Sequence, residues 1–482
     1  MVKIKKVSDK MISINKNIQS EILMTTMEEI VPQDSLFRKI DKYIDFTFIY
    51  DKVKDLYCEN NGRPSIDPIV LFKIVFIQTL DGIKSMRQTC KKIKVDAEYR
   101  WFIGIPFGQD TPHFSTFSKN YERRFKDSDI FEEIFVDIVN QAIKYNLVDG
   151  TTFYTDSTHK KANANKNKYD DEIIKVVKER RKWLEEEINE ERIKQGRKAF
   201  EYKDVTEEKH IKVSTTDKES GYYHRDNKEK GFMYLDHRTV DDKCNIIVDA
   251  YVTKGNVHDS GPFIDRAEYI KHKFGFNIKK YAVDSGYLTL DIKKYFIENN
   301  IFGVFGYRRY GSKESRKEKS KYEYIKKLDI YYEKETGEVL EYKGLVDKNG
   351  YKTYINLDKT KLVRRHIHEE WNELFRDNRL SKEGKELYQK RKEHVERSFA
   401  DSKQNHGYRY AMYKGVKKNQ HYTWLICAAQ NMKNITIKND NVGRNHLTLS
   451  SYIYNFIKIW KNIIKILFER KPLKKSRGLS TL

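Results

Sequence analysis

GTTFYTDSTHKKANANKNK, Gly150–Lys168, is the stretch that decides the fold. A β-type run, Thr151–Thr155, leads straight into Asp156 and then into a polar, basic segment. Thr, Phe and Tyr suit a pleated strand. A carboxylate at a strand end faces the crevice where α/β sheets hold their ligands. KKYAVDSGY, Lys279–Tyr287, repeats the arrangement and delivers Asp284. Between the two, GFMYLDHRTVD and KCNIIVDAYVTKG read as strands, and HDSGPFIDRAEYIKHKFG reads as a helix capped near Asp259 or Ser260. A helix over Leu290–Asn299 and a final strand in IFGVFGY follow Asp284.

A third carboxylate comes later, in LYQKRKEHVERSFADSKQN, Leu387–Asn405. This stretch has no Pro or Gly, and at helical spacing it lines up Lys392, Glu396 and Lys403 on one stripe. Alone it reads as a solvated helix with ion pairs four residues apart. Two upstream aspartates at strand ends make Glu396 the candidate third acid. Strand-Asp, strand, strand, helix, strand-Asp, helix, strand and a late Glu helix is the order of an RNase H-like mixed sheet. The expected fold is therefore α/β: an RNase H-like mixed-sheet catalytic core, an inserted β-rich subdomain and an all-helical N-terminal domain.

Outward from this core, residues 1–130 are expected to be helical and to bind DNA. Caps are expected at Asp34 or Ser35, at Asp67 with Pro68 in the first helical position, and at Thr111 with Pro112. Gly62 and Pro64 read as breakers. The short helix Ile83–Ile93 and the basic one after Pro112 resemble a helix-turn-helix pair, a signal any small helical domain can imitate. The core's first part is expected over 131–306, with a charged helical insertion at about 165–205 and a loop at Val213–Gly221. A basic β-rich insertion is expected over 307–385, with hairpins at Thr336-Gly337 and Asn349-Gly350. Its head, Arg308–Lys327, holds nine Lys and Arg against three Glu, with tyrosines interleaved. The core resumes over 386–440 with the Glu helix and a covering helix, and 441–482 is an amphipathic basic tail.

The 482 residues carry a formal charge of +23, which suits a polyanionic partner. A compositional bias toward Lys, Asn, Ile and Tyr would also raise it, so charge alone does not single out nucleic acid. Four scattered cysteines form no metal-ligand spacing and no disulfide framework, as expected of a reducing cytosol. No apolar leader opens the chain. The best membrane candidate, Tyr452–Phe468, is 17 residues long and contains Lys458, Lys461 and Lys465, too short and too charged to span. The expected setting is the bacterial cytoplasm, alongside the nucleoid.

YTDSTHKKANANKNK, GYYHRDNKEKGFMYLDHRTVD, VTKGNVHDS, YAVDSGY and VERSFADSK, with GRPSIDPIVLFK near the N-terminus, resemble insertion-sequence DDE transposases that carry a β-strand insertion between the second Asp and the Glu. The resemblance covers nearly the whole chain. It implies catalytic and metal-binding roles for Asp156, Asp284 and Glu396, with two Mg2+ ions (Mn2+ able to substitute). It implies double-stranded DNA as partner, both terminal inverted repeats and target. A homodimer in the assembled complex is implied, with neither a membrane nor a small-molecule substrate. The family's third motif runs Tyr-x2-Arg-x3-Glu-x6-Lys. Glu396 and Lys403 fit it; Lys392 stands in the Arg position and Gln389 in the Tyr position, with Tyr388 one residue away. The insertion lacks the clustered cysteines of many relatives, so no zinc is implied. Candidate DNA contacts are Lys160, Lys161, Arg308, Arg309, Tyr388, Lys392, Arg397 and Lys403. His159, His237 and His258 read as hydrogen-bonding or DNA-contacting residues rather than metal ligands. Two other readings remain: an RNase H-like nuclease that cuts without joining, and an inactive DNA-binding repressor derived from a transposase.

Overall fold

The computed structural model describes residues 22, 24–58, 65–225, 229–308, 318 and 320–440. The Gly62 and Pro64 breakers, Arg309 and the 441–482 tail lie outside the described residues.

The N-terminal region is helical. Ser35 caps Leu36–Tyr43 by accepting the Arg38 N–H, and Asp67 caps Pro68–Leu80, with Pro68 at the first position. Pro68–Leu80 is apolar on nearly every face and nearly fully buried, as such a helix must be. The expected two-helix pair is interrupted. Met86–Val95 is followed at once by Ala97–Ile103, because Asp96 both ends the first helix and caps the second. The next helix starts at Ser115 rather than at a Thr111 cap. Tyr121–Phe125 continues it as a wider π-type turn, before Ile130–Lys144 leads to the sheet.

The central strands are β1 (Thr152–Lys161), β2 (Tyr169–Val177), β3 (Thr206–Ser214), β4 (Gly221–Tyr223), β5 (Gly231–Asp241), β6 (Ile247–Lys254), β7 (Lys280–Val283) and β8 (Phe302–Phe305). The main sheet runs β5-β1-β7-β8, with β4 and β6 sharing the outer edge of β5. β5 is antiparallel to β1 and β6, and the β1-β7-β8 half is parallel. Helices Phe263–Phe274 and Leu290–Glu298 make the crossovers that parallel pairing requires. The first is preceded by Pro262; the expected caps Asp259 and Ser260 lie outside it.

The charged stretch after Lys168 differs from the expected helix. Tyr169–Val177 is β2, paired antiparallel with β3 in a largely exposed ribbon, and only Lys182–Lys194 is helical. Ile173, Ile174, Val176 and Val177 are β-branched and favour extended backbone, and this local preference prevails over the four-residue spacing of apolar positions. Val213, expected in a loop, lies in β3.

The second sheet is a meander of β9 (Tyr322–Ile325), β10 (Ile330–Glu333), β11 (Val339–Val346), β12 (Tyr351–Ile355) and β13 (Leu362–His366). The Thr336-Gly337 and Asn349-Gly350 turns stand at the two expected places, both glycines left-handed. Tyr324, Tyr331, Tyr342 and Tyr354 pack with Leu340 and Val363 as its core. These tyrosines are thus structural, and the Tyr324 and Tyr354 hydroxyls donate to Asp329 at 2.7 and 2.6 Å.

Helix Glu369–Leu380 returns to the main sheet, where Phe375 meets Phe296 and Phe305. A long helix follows: Lys382–Lys390, a π-type turn over Lys392–Glu396, then Arg397–Asn405. The final described helix, 416–440, covers the sheet. Its Asn431 accepts from the Ile247 N–H and donates to the Ile247 carbonyl; Gln420 does the same with Val252 and Ala250. One continuous core joins the N-terminal helices, the main sheet and this covering helix. Gly82 shows how closely the N-terminal region meets the end of the Arg397–Asn405 helix: a Cβ there would stand 2.6 Å from the Asn405 carbonyl oxygen. Among the described residues no helix is long and apolar enough to cross a membrane.

Candidate active site

The parallel pairing of β1 and β7 ends at Thr155 and Val283, so the next residues, Asp156 and Asp284, stand side by side where the strands part. Arg391 spans them. Its Nη2 lies 2.8 Å from Asp156 Oδ2, and its Nη1 lies 3.9 Å from Asp284 Oδ1. Tyr388, one turn earlier, donates to Asp284 Oδ1 at 3.4 Å and accepts from Arg391 Nη1 at 3.1 Å. Arg391 is only 4% exposed, so its charge needs a close counterion. Burial pushes the Asp156 carboxyl up to about 6, helped by Asp284 and Asp259, against the opposing pull of Arg391 and the Ser157 N–H.

Two anchors hold the late helix against β1 and β5. In its π-type turn, the His394 ring stacks on Tyr154 at 4.5 Å. The Tyr154 hydroxyl, Lys390 and His394 all converge on Asp242, whose carboxyl is held well below the usual range, chiefly by its hydrogen bond with His394. Further along, the fully buried Arg238 pairs with Asp236. It also donates to Ser398 at 3.0 Å and Ser402 at 2.7 Å.

The π-type turn corrects the expected stripe. An extra residue in that turn rotates the helix, so Arg391 faces the aspartates while Lys392 is exposed. Tyr388-x2-Arg391 therefore keeps the motif's own spacing, and the additional residue falls between Arg391 and Glu396. Arg391 was missed by sequence reasoning, although this Tyr-x2-Arg spacing was the signal that could have found it. Asp259 was also missed as a site residue: it accepts the Ser157 hydroxyl at 2.7 Å, beside Asp156.

Glu396 is exposed, and Arg391 feels its charge. Among the described residues no three His, Cys, Asp or Glu side chains come together as a metal nest. The aspartate pair is brought together and Glu396 stands apart from it. The donor chemistry suits a divalent ion: two adjacent carboxylates, oxygen only, are what Mg2+ or Mn2+ selects. A guanidinium on that pair is the same preference for positive charge met by the chain itself.

The candidate DNA contacts divide. Lys160 is 0% exposed, its ammonium 4.3 Å from the centre of the Tyr408 ring, so it reaches no phosphate. The alternation of β1 turned it inward beside Asp236. Lys161 points the other way and pairs with Glu229 at 2.6 Å. Lys403 is half-buried and donates to Thr158 at 2.5 Å, which sets it beside β1 two residues from Asp156. Arg397, Lys392 and Arg308 are exposed. His237 is buried against Thr253 and held in its neutral form, its pKa pushed down to about 4 by burial; His258 contacts Ser260.

Two family models match the chain. The model "Transposase domain (DUF772)" matches residues 25–123, the helical region, and the model "Transposase DDE domain" matches 352–436, which includes the Arg391 and Glu396 helix. They bear out the resemblance to insertion-sequence DDE transposases. A search of the curated proteins finds no match.

Proposed function

We propose that this chain, an insertion-sequence DDE transposase by the two models that match it, has an RNase H-like core. In this reading it binds the terminal inverted repeats of its element, cleaves at their ends and joins the freed strand to a target duplex. The sheet order β6-β5-β1-β7-β8, with its antiparallel and parallel halves, supports the core assignment. The observation that carries the activity is the meeting of Asp156 and Asp284 at parting strands, under a helix that bears Glu396.

Asp156 and Asp284, already together, would hold the divalent ions, and Glu396, which stands apart from them here, would complete the set once Arg391 leaves the pair and the helix brings it in. Bound there, Mg2+ or Mn2+ supplies an activated oxygen nucleophile and charge stabilisation for the leaving oxygen. The residues of the chain do the rest. Arg391 and Tyr388 shape the carboxylate pair, and Arg391 becomes a phosphate ligand when its place on the aspartates is taken. Lys403, beside Thr158, and the exposed Arg397 and Lys392 hold the DNA backbone as charges, without reading its sequence. Water attacks first; the resulting 3′-OH then attacks a second phosphodiester in line, so no covalent intermediate on the protein is needed. The complex is read as a homodimer acting on DNA within the cell.

The test is incubation of the purified chain with labelled duplex from its own element ends, in Mg2+ or in EDTA, with Glu396→Gln alongside. Metal-dependent nicking followed by joining, lost in the variant, supports the reading. Nicking with no joined product would make it a nuclease. Tight binding with no strand breakage in any metal would make it a repressor.

A further inference from the structure

The ribbon of β2 and β3 is joined pair by pair from Tyr169 opposite Ser214 to Val177 opposite Thr206. Its root is fixed: the Tyr169 hydroxyl accepts from Lys212 at 2.8 Å, and its ring lies near Tyr222 and Phe232 at the edge of the main sheet. Beyond that root β2 is almost wholly exposed, with Ile173 at 59% and Val177 at 57%. A two-stranded ribbon is marginal in water by itself, and three or more strands make a stable sheet. Among the described residues the outer edge of β2 pairs with no strand. Native chains guard such an edge with Pro, a bulge or a covering element. β2 runs nine residues with no Pro, no Gly and no register shift. Its charges, which would ordinarily turn another strand away, are arranged to fit a second copy of itself.

Two copies of β2 laid antiparallel about a twofold axis at Ile173 set each residue opposite one on the same face. Asp171 then meets the partner's Lys175, and Lys175 meets the partner's Asp171. Ile173 meets the partner's Ile173, and Tyr169 meets the partner's Val177. Within each ribbon Asp171 already stands opposite Lys212, and Lys175 opposite Glu208. Across four strands the row reads Glu208, Lys175, the partner's Asp171 and the partner's Lys212, with the sign alternating at every step. Opposite charges directly across a sheet stabilise it, and like charges do the reverse. Neighbouring registers lose this match. A centre at Glu172 sets that acid against itself. A centre at Ile174 sets Asp171 against the partner's Val177 and Lys175 against the partner's Ile173.

We infer that the outer edge of β2 docks a second copy of this chain, the two ribbons joining as one four-stranded antiparallel sheet in the order β3-β2-β2-β3. The inference rests on the homodimer of the reading above and supplies the surface that makes it. Backbone hydrogen bonds provide the attraction, as in other strand-addition contacts, and the Asp171–Lys175 pairs fix the register. The joint lies close in sequence to the aspartates. β1 carries Asp156 and ends at Lys161, and the chain enters β2 at Tyr169, so the strand that holds the partner follows the strand that holds the first acid.

The test uses the full chain at micromolar concentration, without DNA. Ile173→Cys places two thiols on residues whose Cα atoms face each other at about 4.5–5.5 Å, within reach of a disulfide. Mild oxidation should turn that variant into a covalent dimer. Ile174→Cys should not bridge, because its two copies lie diagonally, about 8 Å apart. The unmodified chain controls for bridges through its own exposed Cys58. Asp171→Lys and Lys175→Asp should each weaken self-association at least about tenfold, since every reversal acts twice across the axis. Mixed in equal amounts, these two variants should associate about as well as the unmodified chain, because each facing pair is again opposite in sign. Sedimentation velocity reads the three samples. A chain that stays monomeric overturns the contact, as does a bridge at Ile174 in place of Ile173. Reversed variants that associate no better mixed than alone overturn it too, and place any second copy elsewhere on the molecule. Strand cleavage plays no part in these measurements. A dimer bridged at Ile173 that never cuts element ends would keep the contact and lose the transposase reading. A chain that cuts and joins with Ile173→Cys unbridged would do the reverse.

Discussion

Arg391 Nη2 lies 2.8 Å from Asp156 Oδ2, and the same guanidinium reaches Asp284. The chain thus places its own cation where the chemistry needs a divalent one. Two neighbouring carboxylates repel each other, and without metal Arg391 relieves that repulsion. Arg391→Gln should therefore destabilise the metal-free protein by about 2 kcal/mol, the scale for leaving a partly buried charged group without its partner. It should also tighten Mn2+ binding in the absence of DNA, because the ion no longer competes with a guanidinium. Calorimetric titration with Mn2+ measures this, and weaker binding by the variant would show that Arg391 orders the site instead of guarding it.

Asp156→Asn and Asp284→Asn keep shape and remove charge. Each should lower strand cleavage by at least about a thousandfold, the scale for losing an essential electrostatic group, while DNA affinity stays within a few-fold. Gel-shift and nicking assays on one preparation separate the two effects. A parallel fall in binding and cleavage would make these carboxylates structural.

Lys392 and Arg391 offer a sharper comparison. An ideal helix spacing puts Lys392 on the stripe with Glu396 and Lys403, whereas the π-type turn exposes it and delivers Arg391 to Asp156. Lys392→Ala should cost less than threefold in cleavage, and Arg391→Ala more than a hundredfold. Comparable losses would mean that the turn straightens when DNA binds.

That pair also shows how far the sequence could be read. Strands ending at Asp156 and Asp284 were legible because β-type residues run directly into a carboxylate, and the hairpin turns because glycine marks the left-handed positions. The π-type turn was not legible. One extra helical residue leaves no mark in composition, and only the paired spacing of Tyr388 and Arg391 betrays it. The β2-β3 ribbon was hidden for a different reason. Ile173, Val177, Leu184 and Ile188 fit a helical spacing, yet the first two sit in a strand and the last two in a helix. Periodicity alone cannot see such a break. Lys160 and Lys161 are adjacent in sequence, but strand alternation sends one inward and the other out, and which is which depends on register.

Phosphate contacts are read from salt dependence. Lys403→Ala and Arg397→Ala should each weaken duplex binding and reduce the slope of log affinity against log salt by about 1. Lys160→Ala should leave that slope unchanged, since its ammonium is sealed beneath Tyr408. Affinities at three salt concentrations suffice, and an altered slope for Lys160→Ala would mean that the helix and β1 separate on DNA.

Lys160 makes its own prediction about pH. Its ammonium is buried without a hydrogen-bond partner, and burial lowers its pKa from an ordinary 10.5 to about 7, despite help from Asp236. A base whose folded pKa is depressed burdens the folded state fully below the folded pKa, where both states hold the proton. The burden then fades as pH rises toward the unfolded value, because the unfolded chain keeps a proton that the folded chain has released. This one group therefore raises stability between about pH 7 and 10.5, by at most about 1.4 kcal/mol per pH unit. Lys160→Met fills the same space without the charge and should be more stable than the native chain at pH 7. The advantage should shrink steadily on going to pH 9. Comparing the two proteins by urea unfolding at each pH removes the tyrosines and cysteines that titrate in the same range, since both share them. A stability difference that is flat across this range would mean that Lys160 keeps its proton throughout, held by the Asp236 carboxylate on the neighbouring strand.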